Sequence, residues 1–294
     1  MYKTILAAVD RSEEAKRAAR TAILFASKFE ATLVFAHVVN ERDFSAFQYY
    51  VPSAWEETKK TNEAMLQQFT SEAESGGVTK VETVLRSGAP KSTVAKELAP
   101  EFAADLLVTG ASGMGTVEKL VMGSVSSGIL RRAREDVLIV RKESAGGYKK
   151  ILIAVDGSEE AGLAFEKGVQ LALQTGAELF IVHVYNSNLL YSTVLNTDVQ
   201  KFMEDDDRKM LEDYKTQAER LGVAHVTTSL LYGAPKLIIP QEYAVQHEID
   251  LIVSGASGAN RTERLLLGSV AEGIAHRAIC DVLVVRQPLE HREQ

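Results

Sequence analysis

YKTILAAVDRSEEA, Tyr2–Ala15, returns as YKKILIAVDGSEEA, Tyr148–Ala161. In the first copy an apolar run, Ile5–Val9, breaks at Asp10-Arg11-Ser12-Glu13-Glu14 and passes directly into a helical pattern. A short continuous apolar run bounded by turn residues suits a strand of a parallel sheet, covered on both faces. Ser12 stands at a helix N-cap position, and Glu13 and Glu14 face the positive end of the helix dipole. Ala15, Ala18, Ala19, Ala22, Ile23 and Ala26 then keep a period of 3.6 residues.

The repetition runs through the whole sequence. Ser87-Gly88-Ala89-Pro90-Lys91 recurs as Tyr232-Gly233-Ala234-Pro235-Lys236, Asp105-LLVTGASG as Asp250-LIVSGASG, and Gly123-Ser124-Val125 as Gly268-Ser269-Val270. The offset of about 145 residues is too long for a solenoid repeat and matches one ordinary domain. Within the first copy, further strands are expected at Leu33–Val39, Val81–Leu85, Leu106–Thr109 and Val137–Arg141. Helices are expected at about Trp55–Glu74, from Pro90, and over Ser124–Arg134. The order β-α-β-α-β-α-β-α-β with right-handed crossovers predicts an α/β fold, an open parallel sheet with helices on both faces. The second copy repeats this from Ile151 to Arg286, after a short joint at Lys142–Lys149 that predicts closely packed domains. Ligands of such sheets bind beyond the C-terminal strand ends, where strand order reverses. Asp10, His37-Val38, Gly88 and Gly110 all fall at those ends.

Hydrophobic residues make up 46% and charged residues 25% of the 294-residue chain, within the globular range. A net charge of −7 with interspersed signs argues against a general nucleic-acid surface. A single cysteine, Cys280, cannot close an internal disulfide, so a reducing, cytoplasmic setting is expected. No apolar run reaches the ~18 residues of a membrane span. MYKTILAAVD meets a charge too early to act as a signal peptide.

The chemistry-bearing pattern follows the fourth strand: Gly110-Ala-Ser-Gly113, nine residues, Gly123-Ser124, and again Gly255-Ala-Ser-Gly258, nine residues, Gly268-Ser269. One reading is a phosphate cradle. Glycines let backbone N–H groups approach anionic oxygens, and the helices opening at Ser124 and Ser269 present unpaired donors. The hydroxyls of Ser124, Ser126 and Ser269 add to these, and a base recurs in the loop at Lys119 and Arg264. The plainer reading is a tight strand-to-loop turn at Gly110 and Gly113 and an N-cap at Gly123. Intact spacing in both copies favours the anion site.

Other features carry less. The Gly88-Ala-Pro-Lys91-Ser-Thr93 stretch lacks the glycine gap of a Walker loop, and no Gly-x-Gly-x-x-Gly follows the first strand. His37 and His183 have no metal-ligand spacing around them and read as hydrogen-bonded structural residues. Cys280 reads as a small buried residue. Trp55, Phe44, Phe47, Tyr49 and Tyr50 read as packing residues, with a partner surface as the other option.

The Gly-x2-Gly-x9-Gly-Ser pattern, with Asp10 and Asp156 ending the first strand of each copy, resembles the universal stress proteins of the UspA type in their ATP-binding subclass. The resemblance spans nearly the whole chain. It implies two tandem Rossmann-like, adenine nucleotide α-hydrolase-like domains, residues 1–143 and 148–288, each a five-stranded parallel sheet with helices on both faces. It also implies that Asp10 and Asp156 contact ribose hydroxyls, that Ala8 and Ala154 line the adenine pocket, and that the backbone of Val38 and Val184 reads the base. Gly110, Gly113, Gly123, Ser124, Val125 and Ser126 would hold ribose and phosphates in the first domain. Gly255, Gly258, Gly268, Ser269, Val270 and Ala271 would do so in the second. The ligand implied is ATP, or AMP or ADP, with Mg2+ as a companion ion. The last strands of the two domains are expected to pair antiparallel, as in a built-in dimer that associates further into homo-oligomers. Four positions depart from the family or between copies: Arg11 replaces the usual glycine that Gly157 keeps, Asp136 and Asp281 replace a proline before the last strand, and Ala271 stands opposite Ser126.

Three functions are compatible with these residues. The first is an adenine-nucleotide-binding stress protein with one site per domain, whose ligand state is read by an unknown protein partner. The second is a slow ATPase or other adenine-nucleotide hydrolase, against which stands the missing nucleophile–base pair. The third is an interaction module independent of nucleotide. The expectation leaves enzyme activity open, at most a weak hydrolysis of ATP, with a non-enzyme preferred.

Overall fold

Every apolar run read as a strand is one. The computed structural model describes residues 1–40, 52–112, 122–142, 147–185, 197–258 and 267–287, and all structural statements concern these. They divide into two compact units, Met1–Ala145 and Gly146–Gln294.

In the first unit the order is β1 (Thr4–Ala8), α1 (Glu13–Phe29), β2 (Thr32–Asn40), α2 (Pro52–Ser75), β3 (Val81–Gly88), α3 (Pro90–Thr93), α4 (Ala99–Glu101), β4 (Leu106–Gly110), α5 (Ser124–Arg132) and β5 (Asp136–Val140). All pairings are parallel, in the order β3-β2-β1-β4-β5. Ile5–Ala7, Leu33–Phe35 and Leu106–Val108 are buried almost completely, as expected of strands covered on both faces. Helices α1 and α2 pack together over β1–β4, while α3 packs against α5. Right-handed crossovers put these two pairs on opposite faces of the sheet.

The second unit repeats the plan: β6 (Lys150–Ala154), α6 (Glu159–Thr175), β7 (Glu178–Tyr185), α7 (Thr197–Arg220), β8 (Val226–Tyr232), α8 (Pro235–Leu237), α9 (Ala244–Gln246), β9 (Leu251–Gly255), α10 (Ser269–Arg277) and β10 (Asp281–Val285). Its parallel order is β8-β7-β6-β9-β10.

Local signals act as read. Ser12 Oγ accepts from Ala15 N at 3.1 Å and Ser158 Oγ from Ala161 N at 3.2 Å, capping α1 and α6. One feature was not visible in the sequence pattern. A π-helical stretch interrupts the helix begun at each proline, Val94–Leu98 in one unit and Ile238–Tyr243 in the other. Pro240 and Pro100 have no N–H for the i−4 carbonyl, which loosens the ladder there.

At the N-terminal edge of each sheet a tyrosine is buried against an aspartate. Tyr2 Oη donates to Asp136 Oδ2 at 2.8 Å, and Tyr148 Oη to Asp281 Oδ2 at 2.9 Å. The aspartates that open the last strands thus serve the fold, at the end of the sheet remote from Asp10 and Asp156.

Candidate functional site

In each unit β1 or β6 runs beside β4 or β9, and the chain turns away in opposite directions on either side. The C-terminal ends of this strand pair form the crevice at the strand-order switch. Ala8 is the last β1 residue paired to β2, opposite Ala36, so Val38 overhangs the crevice two residues further on. Ala154 opposite Val182 places Val184 in the same way.

Asp10 is held rigidly. Its Oδ1 accepts from Ser12 N at 2.9 Å and from Ser12 Oγ at 2.5 Å. Asp156 repeats this with Ser158, at 3.1 and 2.5 Å. The serine that caps the helix therefore also orients the carboxylate, linking helix start to site. His37 Nδ1 donates to the Val9 carbonyl at 2.7 Å, and His183 Nδ1 to that of Val155 at 2.7 Å. Burial, helped by the Arg11 charge, holds the His37 pKa below the ordinary imidazole value against the opposing pull of Val9 and Asp10. His37 is therefore neutral at pH 7 and structural, as the sequence indicated.

The glycines divide by role. A Cβ on Gly110 would lie 2.9 Å from the backbone of Glu14, and one on Gly255 2.9 Å from that of Glu160. These two glycines let the first turn of α1 or α6 close onto the sheet, a packing requirement independent of any ligand. Gly123 N donates to Ala111 O at 2.7 Å and Gly268 N to Ala256 O at 2.6 Å, closing the loop onto the strand end. Neither N-cap has a side-chain cap, so the first N–H groups of α5 and α10 are left for another acceptor. Ser124 and Ser269 lie exposed at these helix starts. Ser126 lines the same place, buried, with its Oγ donating to Ala111 O at 2.7 Å. That hydroxyl ties down the loop, and Ala271, buried at the same place in the second unit, simply lacks the tie.

In the first unit these residues surround a cavity of about 680 Å³. It is lined by Ala8, Asp10, Val38, Gly110, Gly123, Ser124, Val125 and Ser126, together with residues of α2 and Pro90. Its size is within the roughly 300–1,000 Å³ of small-molecule sites. Gly113, Lys119 and Arg264 lie outside the described residues, as do Phe44, Phe47, Tyr49 and Tyr50. In the second unit Gly258 is described, and a Cβ there would fall on Asp156 Oδ2. Ala154, Asp156, Val184, Gly255, Gly268, Ser269, Val270 and Ala271 occupy the matching strand ends and helix start.

Sequence reasoning missed Asn62. It projects from α2 into the cavity lining, is 4% exposed, and accepts a hydrogen bond from Arg11 at 2.8 Å. Aligning the helices of the two copies on Leu66 and Leu211 would have flagged it, because the match of Asn62 is the charged Asp207.

Comparison with known proteins is consistent across the chain. The model of the universal stress protein family matches residues 1–141 and again 147–286. A universal stress protein of Staphylococcus haemolyticus is 44% identical over 144 residues, 47% of this chain and 85% of its own. One of Staphylococcus epidermidis is 46% identical over 144 residues, 47% of this chain and 84% of its own. The crystal structure of a universal stress protein from Archaeoglobus fulgidus matches 97% of this chain and 98% of its own, with a TM-score of 0.71 and 22% identity, a likeness of fold.

Proposed function

The chain belongs to the universal stress protein family, and on that premise we propose that it binds ATP or a related adenine nucleotide in each unit and acts in stress regulation. The observation that carries this reading is convergence. Residues from Ala8 to Ser126, chosen from sequence for nucleotide contact, line one cavity at the strand-order switch. A fixed carboxylate stands on one side for hydroxyls, and the uncapped start of α5 on the other for anionic oxygens. A nucleoside phosphate has that polarity along its length. Mg2+ would enter as the counter-ion of the phosphates.

The mechanism is linkage. A ligand that binds one loop arrangement stabilises it, and a protein partner in the cytoplasm reads the result, with self-association of the chain as a further readout. The test is acid extraction of freshly purified protein, with the released nucleotide identified and counted by mass spectrometry. Two adenine nucleotides per chain, lost in Asp10→Ala plus Asp156→Ala, support the proposal, and one per chain limits it to a single unit. None, with no thermal shift on adding ATP, overturns it. Rapid hydrolysis of added ATP that depends on both aspartates would replace it with an ATPase.

A further inference from the structure

Among the described residues, Arg11 and Asn62 together, against Gly157 and Asp207, set the two strand-switch crevices apart. Arg11 lies on the cavity wall, and among the described residues its hydrogen bond is to Asn62 Oδ1. An amide orients a guanidinium without neutralising it, and most of the five N–H donors of the fork are left for other acceptors. In the second unit the same turn holds Gly157 at φ +75°, a conformation open to glycine. A Cβ there would sit 3.2 Å from Met210 Sδ, so α7 lies close against this turn. One turn earlier on α7, Asp207 Oδ2 lies 3.5 Å from His183 Nε2, on the histidine whose ring is bonded to Val155.

The charges follow. In the first unit Asp10 and Arg11 offset each other, with Asn62 neutral between α2 and the cavity. In the second, Asp156 and Asp207 place two carboxylates and no base at the matching positions, so these positions differ by two formal charges between the units. We propose that Arg11, positioned by Asn62, makes the first unit the tighter site for a polyphosphate nucleotide, and that Gly157 with Asp207 makes the second selective against added phosphate charge. This rests on the adenine-nucleotide reading and adds to it which site answers to phosphate number. At an effective dielectric of about 20 the difference amounts to about tenfold or more in affinity for ATP, shrinking as salt screens it.

The test is calorimetric titration of the full chain with ATP and with adenosine, at low and high salt, for the natural sequence, Arg11→Met and Asp207→Asn. Methionine keeps the stem of Arg11 without its charge, and asparagine keeps the shape of Asp207. The expected result is two ATP classes at least about tenfold apart, the tight one weakened about tenfold by Arg11→Met and the weak one strengthened by Asp207→Asn. Adenosine, without phosphate, should be indifferent to both changes. One ATP affinity for both sites, or two classes that neither substitution moves, overturns the inference and leaves nucleotide binding standing. Parallel shifts for adenosine also overturn it, because they would report packing and not charge. No binding of either ligand by a chain with native circular dichroism would overturn the nucleotide reading itself.

Discussion

The Cβ that Gly258 lacks would fall on the Oδ2 oxygen of Asp156, a residue 102 positions earlier in the chain. The glycine of the loop and the carboxylate of the first strand are therefore one structural unit. Gly258→Ala should displace the Asp156 side chain and weaken nucleotide binding in the second unit by about tenfold, the loss of one charged hydrogen bond. The first unit and the melting temperature of the ligand-free chain should change little. Calorimetry alongside a thermal melt separates the two effects.

Ser12 and Ser158 each cap a helix and hold an aspartate. Ser12→Ala should cost about 1 kcal/mol of stability in urea unfolding through the lost cap. It should also cost nucleotide affinity, because the Asp10 carboxylate loses its hydroxyl partner. Ser12→Thr, which retains a cap oxygen, should recover most of the stability.

Glu30 ends α1 at φ 53°, where Gly176 ends α6 at φ 69°. Left-handed backbone costs an L-residue roughly 1–2 kcal/mol. Glu30→Gly should therefore raise the urea midpoint by an amount equivalent to about 1 kcal/mol, the entropy of glycine in the unfolded chain offsetting part of the relief.

Burial, and then the neighbouring aspartate, raise the Tyr2 and Tyr148 phenols well above their ordinary value of 10.0. Below pH 10 folded and unfolded chains both hold these protons, so stability is unaffected. Above it the unfolded chain releases them first, and stability falls as pH rises, by about 1.4 kcal/mol per unit for each tyrosine. Tyr2→Phe should destabilise the chain at pH 7 by about 1–3 kcal/mol, because buried Asp136 loses a donor. It should also make the alkaline fall shallower. Urea unfolding between pH 8 and 11.5 checks both signs.

Much of this was legible in the residues. The strands, the two caps and the duplicated glycine spacing depend on neighbours a few positions away, and a repeat shows them twice. Asn62 stands out only when the two copies are aligned: within α2 it looks like any polar residue, and its contact exists because the β1–α1 turn brings Arg11 against it. The tie from the Ser126 hydroxyl to the Ala111 carbonyl was not legible for a similar reason, since that acceptor lies 15 residues back across the loop.

The sequence alone determined two α/β units, their strand and helix order, and the residues placed at strand ends, because apolar runs, caps and glycines act through local backbone physics. Only the tertiary structure decided that Gly110 and Gly255 answer to the backbone of Glu14 and Glu160, and that Asp156 shares space with Gly258. It also decided that Arg11 meets Asn62 and that Asp207 meets His183. These are contacts across long stretches of chain, set by strand order and helix packing, and no local pattern encodes which side chain will arrive opposite which.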